Sequence, residues 1–196
     1  METHADVGVA RLGRWVGVTF AGWTAGFFLA ILFIVVVDSM GVLQTQFPLA
    51  LGMGTGVGYA QARLLSAFLD KRSTWVWATA LGLAAPFAIA DVANALGRPV
   101  PFNLAAYVAI GGVVVALWQW LLLRRVATHS TSWLVATPLG WILASAFVLI
   151  NDLWLRGPIR IPGIVGALLY VGVVLAGGLV LGLCTAPAAR RMTRQR

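Results

Sequence analysis

The sequence predicts an all-α integral membrane protein: six transmembrane helices in three tandem helical hairpins, with approximate threefold internal symmetry and both termini cytoplasmic. Composition predicts the bilayer. Of 196 residues, 60% are hydrophobic and 10% charged, and the mean hydropathy of +0.90 lies far outside the range of a soluble domain. A repeated pattern predicts the hairpins. Trp15/Thr19/Gly22, Trp75/Thr79/Gly82 and Trp133/Thr137/Gly140 share an i, i+4, i+7 spacing, as do Gly54/Gly58/Gln61, Gly112/Ala116/Gln119 and Gly178/Gly182/Thr185. Each trio lies on one helical face. Trp75 and Trp133 are 58 residues apart, as are Gln61 and Gln119, while Trp15 and Trp75 are 60 apart. The last even helix is displaced by 66, because the loop around Arg156-Gly157-Pro158 is longer. Agreement through residues as rare as Trp and Gln is the signature of internal repetition.

Apolar stretches of about 20 residues, the length that crosses a hydrocarbon core, place the spans at 15–37, 47–68, 75–96, 102–123, 133–155 and 161–184. The first opens at Trp15 and carries the first copy of the pattern. Val37-Asp38-Ser39-Met40 lacks a small-x-small cleavage site, so this span is expected in the mature fold rather than in a signal peptide. The second contains the run Gly52 to Gly58, read as a close-approach seam and not as a phosphate loop, because it lies inside an apolar span. The third and fifth begin after the N-cap residues Thr74 and Ser132 and contain Pro86 and Pro138. The fourth ends at Arg124-Arg125 and the sixth at Arg190-Arg191. The repeats cover about 14–72, 74–126 and 132–192 of a single transmembrane domain, 1–196.

Charge sets the orientation. Eleven basic residues (Arg11, Arg14, Arg63, Lys71, Arg72, Arg124, Arg125, Arg190, Arg191, Arg194 and Arg196) fall at the termini or after even spans, whereas Arg98, Arg156 and Arg160 follow odd spans. With Glu2, Asp6 and Asp70 on the first side and Asp38, Asp91 and Asp152 on the second, the net charges are +8 and zero. This positive-inside pattern fits a plasma membrane of bacterial type, with anionic lipids on the inner face as partners. It also accounts for the pI near 11.3, so no nucleic-acid partner is expected.

Polar residues inside the spans are the candidates for function. Thr19, Gln61, Thr79, Gln119, Thr137 and Thr185 fall at similar depth near the cytoplasmic ends of the helices. An amide unsatisfied in hydrocarbon costs several kcal/mol, so an interhelical hydrogen-bonded layer is expected, with a polar pore lining as the alternative. Toward the outer ends, Asp91, Asn94, Asn103, Asn151 and Asp152 form a possible ligand site, with helix capping as the competing reading. No catalytic or metal set is found. His4 and His129 lie in a tail and a loop, Cys184 is the sole cysteine, and no Gly-x-Ser-x-Gly elbow occurs. No enzyme activity and no cofactor are expected.

The size and span count resemble those of the substrate-binding subunits of energy-coupling-factor vitamin transporters. The three-hairpin organisation is similar to that of mitochondrial carriers, although the carriers' Pro-x-Asp/Glu-x-x-Lys/Arg motif is absent. Both resemblances concern architecture, which does not carry function with it. The expected function is binding or transport of a small or lipid-like ligand between the hairpins. The alternative is a non-catalytic accessory or assembly subunit of a larger membrane complex, with other membrane subunits as partners.

Overall fold

The computed structural model describes residues 12–42, 45–156, 161 and 163–193. Among them run six α-helices: α1 (Leu12–Ser39), α2 (Phe47–Leu64), α3 (Arg72–Ala95), α4 (Leu104–Leu123), α5 (Thr131–Arg156) and α6 (Gly163–Arg191). α3 and α5 continue through Pro86 and Pro138. α2 stops short of the expected position 68, because Leu65 and Phe68 turn back into the core, where each is at most 1% exposed. α6 runs past 184: Ala186, Ala188 and Ala189 favour helix and are buried.

Five helices are long and apolar enough to cross a membrane, which makes this a multi-pass integral membrane protein. The exception is α2. Its 18 residues include four alternate glycines, Gly52 to Gly58, plus Gln61 and Arg63, and eleven of the 18 are buried against neighbours. A helix with so little lipid-facing surface need not be strongly apolar. α1 is the converse, with six buried residues in 28.

The helices form a closed ring. Each packs on the next in sequence, and α1 packs on α6. In the first hairpin Gly22 faces Ala60 and Gly26 faces Met53, so position rises along α1 as it falls along α2, and the two are antiparallel. Close contacts recur at matched positions. Gly22, Gly82 and Gly140 approach the backbones of Val57, Val115 and Leu181 within successive hairpins. Between hairpins, Gly58 meets Val76 and Thr79 of α3, and Gly182 meets Val16 and Thr19 of α1. Where lipid removes any hydrophobic drive between helices, such close approach is what holds them together.

The core is layered along the ring axis. The starts of α1, α3 and α5 and the ends of α4 and α6 meet at one end, which also carries Arg14, Arg63, Arg72, Arg124, Arg125, Arg190 and Arg191; we call it the basic end. There Trp15, Trp75, Trp133, Leu123 and Met192 form one apolar cluster. A second cluster, with Trp23, Leu83, Phe87 and Trp141, fills the middle. The backbone N–H of Thr128 donates to the Thr193 carbonyl at 2.8 Å, tying the α4–α5 loop to the end of α6.

Candidate functional site

Trp15, Thr19 and Trp23 are spaced i, i+4, i+8 on α1, and Trp75/Thr79/Leu83 and Trp133/Thr137/Trp141 repeat the spacing on α3 and α5. All nine are at most 2% exposed, so three helices direct the same face at the ring axis. The first layer is tryptophan. Ring centroids are 5.8 Å apart for Trp15 and Trp133 and 5.7 Å for Trp75 and Trp133, both pairs edge-to-face. This closes the axis at the basic end.

The second layer is polar. Thr19, Gln61, Thr79, Gln119, Thr137 and Thr185 are all buried. Gln119 bridges two helices: its Oε1 accepts from Trp133 Nε1 at 2.8 Å, and its Nε2 donates to Thr79 Oγ1 at 2.8 Å. Thr79 Oγ1 donates in turn to the Trp75 carbonyl at 2.9 Å. Thr185 makes half of this arrangement, accepting from Trp15 Nε1 at 2.9 Å and donating to the Leu181 carbonyl at 2.8 Å. Its side chain lacks the second arm of a glutamine. Thr137 Oγ1, which stands where Thr79 stands in the previous hairpin, is buried without a partner. Thr19 Oγ1 and Trp75 Nε1 are also buried without a partner.

Beyond the third layer, where Trp23 and Trp141 lie 5.6 Å apart, the axis opens into a cavity of about 150 Å³. Trp23, Leu83 and Trp141 floor it, while Phe27, Phe87, Ala50, Val108 and Val174 form walls. All six helices contribute lining residues, Ala50, Val108 and Val174 among them at the offsets of 58 and 66, which puts the cavity at the centre of the ring. Phe27 and Phe87 correspond in sequence register to Ser145 on α5, which does not line the cavity; its hydroxyl donates to the Ile142 carbonyl at 2.6 Å. The indole N–H of Trp23 is taken by the Val174 carbonyl at 3.0 Å, which leaves the Tyr170 phenol as the hydroxyl group of the lining.

One side of this cavity is loosely walled. The last buried residue of α1 is Ala30. Among the described residues, α5 has none buried after Ser145 and α6 none before Gly177. On the opposite side burial extends to Pro48, Ala90 and Ala105, near the far ends of α2, α3 and α4. The lining residues on this side, Ile31, Ile34, Val148, Tyr170 and Val174, are accordingly only half-buried or exposed.

The far-end polar residues are placed differently. The Asp91 carboxylate accepts the backbone N–H groups of Gln46 at 2.9 Å and Phe47 at 2.8 Å, and so caps α2 from α3. A carboxylate there complements the positive end of the helix dipole. Asn103 caps α4, its Oδ1 accepting from the Ala106 N–H at 2.9 Å. Asn94 is exposed near the end of α3. Asn151 and Asp152 belong to α5, but their side chains lie outside the described residues. Asp91, Asn94 and Asn103 do not line the cavity. Among the described residues no three His, Cys, Asp or Glu side chains gather as a metal site would need.

The cavity walls are what sequence reasoning missed. Their signal was present in the matched positions of Ala50, Val108 and Val174. No protein-family model, curated protein or solved structure matches this chain.

Proposed function

We propose that the protein binds an apolar, lipid-like ligand taken laterally from the bilayer into the axial cavity between the hairpins. The observation that carries this reading is a void walled by aromatic and aliphatic side chains, the least buried of them on α1, α5 and α6. An apolar cavity of about 150 Å³ stays dry and admits a ring the size of benzene. That volume suits a branched or cyclic end of a hydrocarbon chain, with the remainder passing out between the helices. The Tyr170 phenol can donate to one hydroxyl or carbonyl oxygen of such a ligand. The tryptophan layer fills the axis at the basic end, which favours a binding pocket over an open pore.

The cavity is tested by filling it. Purified protein is expected to carry a hydrocarbon-rich lipid in stoichiometric amount by mass spectrometry of its organic extract. Ala50→Phe, or Val174→Phe as a second variant, should lower that occupancy at least several-fold while leaving helical circular dichroism unchanged. Undiminished occupancy in both folded variants would exclude the cavity. A stoichiometric complex with other chains in place of a lipid would favour the accessory-subunit reading.

The same reading takes the ring as three equivalent hairpins, with the basic end cytoplasmic in a bacterial-type plasma membrane. Support comes from the matched glycine contacts and from the unpartnered atoms. Equivalence assigns Gln61 to Thr19 Oγ1 and Trp75 Nε1, and it explains the lone Thr137 hydroxyl by the shorter side chain of Thr185. Thr185→Gln should then supply the missing arm. Each interhelical bond in a membrane contributes about 0.6–2 kcal/mol, so the melting temperature in mild detergent is expected to rise by a few degrees. A lower melting temperature would count against equivalence of the third position.

A further inference from the structure

A second site lies on the lipid-facing side of the ring. α3 and α4 leave between them a groove with about 320 Å³ of space, lined by Thr74, Trp77, Ala78, Leu81, Trp118 and Leu122 among others. Thr74 to Leu81 spans about 10 Å at 1.5 Å per residue, running from the basic end toward the middle of the protein. Two tryptophans border it, Trp77 at 58% and Trp118 at 41% exposure. Large amphipathic rings that remain outside the core near a helix end belong to the head-group layer of a membrane.

Cations adjoin the same end of the groove. Lys71 lies three and seven residues before Thr74 and Ala78, at the N-cap of α3, while Arg125 lies three and seven residues after Leu122 and Trp118. Both are exposed. Lys71 stands extended at the N-cap of α3 and Arg125 in the turn just past the end of α4, so one cation adjoins the basic end of each groove wall. Arg124 points elsewhere, its guanidinium 5.0 Å from the centre of the Trp120 ring. Asp70 adjoins Lys71 in sequence, and with Arg72, Arg124 and Arg125 this end keeps a net positive charge. An apolar channel that ends between two cations and an exposed threonine hydroxyl matches one amphiphile: a fatty chain joined to a phosphate.

We infer that the α3–α4 groove is a binding site for an anionic phospholipid. One acyl chain lies between Trp77 and Trp118, and the phosphate sits at Lys71, Arg125 and the Thr74 hydroxyl. This site shares no lining residue with the axial cavity and does not depend on it.

Native mass spectrometry of the full chain in detergent, with equal phosphatidylglycerol and phosphatidylcholine added, tests the head-group part. The wild type should retain phosphatidylglycerol preferentially, by about fivefold for each cation that contributes. The Lys71→Gln/Arg125→Gln double variant should retain both lipids equally. Arg191→Gln, which removes a charge from another part of the basic end, should keep the preference. No preference in the wild type, a preference surviving the double variant, or an equal loss in Arg191→Gln would each overturn the site. Chain-brominated phosphatidylglycerol tests the groove through tryptophan emission. Two of nine tryptophans border the groove, so Trp77→Phe/Trp118→Phe should remove the most strongly quenched component. An unchanged quenched fraction would overturn the placement of the chain.

Discussion

Gly56→Ala is expected to separate α1 from α2 and to lower stability sharply. A Cβ at position 56 would meet the Gly22 carbonyl oxygen, the Gly26 nitrogen and, at 2.5 Å, the Gly26 Cα. These are backbone atoms of the facing helix and cannot swing aside as a flexible side chain would. Overpacking a tight site costs about 1–3 kcal/mol and sometimes more. Alanine recovers only about 1 kcal/mol through its better helix propensity. With all three contacts to backbone the cost falls at the top of that range, so the net loss should be about 2 kcal/mol, read as a melting temperature in mild detergent lower by about 4 °C. Gly17→Ala is the control, because nothing lies within 4 Å of a Cβ there. It should be neutral or slightly stabilising. Equal melting of the two variants would show that the α1–α2 seam is not as close as described.

Gln119→Leu should be nearly as damaging for a different reason. Leucine approximates the volume but supplies neither partner, leaving the fully buried Trp133 indole N–H without an acceptor and Thr79 Oγ1 without its amide donor. A buried donor stripped of its acceptor costs about 1–3 kcal/mol. Interhelical bonds in membranes fall toward the lower part of such ranges, since the separated helices find other partners. A loss of about 2 kcal/mol is expected, and the emission of Trp133 should shift as its indole loses its acceptor. Trp133→Phe in the Gln119→Leu background should recover part of the loss by removing the stranded N–H. No recovery would mean that the pair does not stabilise the layer.

The helices were legible because the sequence carries two independent signals for them, apolar length and a face-specific pattern. Trp15, Thr19 and Trp23 mark the axial face of α1 without reference to any neighbour, and the buried polar positions followed from Thr and Gln recurring at that register. Asp91 was ambiguous for a physical reason: its capping targets lie 45 and 44 residues away, and only tertiary structure brings them to it. The cavity was hardest to foresee. Its walls are made of the same residue types as the core, in a chain that is 60% hydrophobic. A void is an absence of side-chain volume, and an absence leaves little trace in composition. The weaker apolarity of α2 likewise makes sense only once its burial between α1 and α3 is known.

The junction of α1 with α6 has a consequence for biogenesis. Chains emerge from the ribosome N-terminal end first, and the Trp15–Thr185 bond joins residues 170 positions apart. A chain that has not yet inserted α6 lacks the Thr185 acceptor of the Trp15 indole and the Tyr170 and Val174 part of the cavity wall. The ring can therefore close only when the last helix is in place, and the half of that helix before Gly177 then adds no buried residue to it.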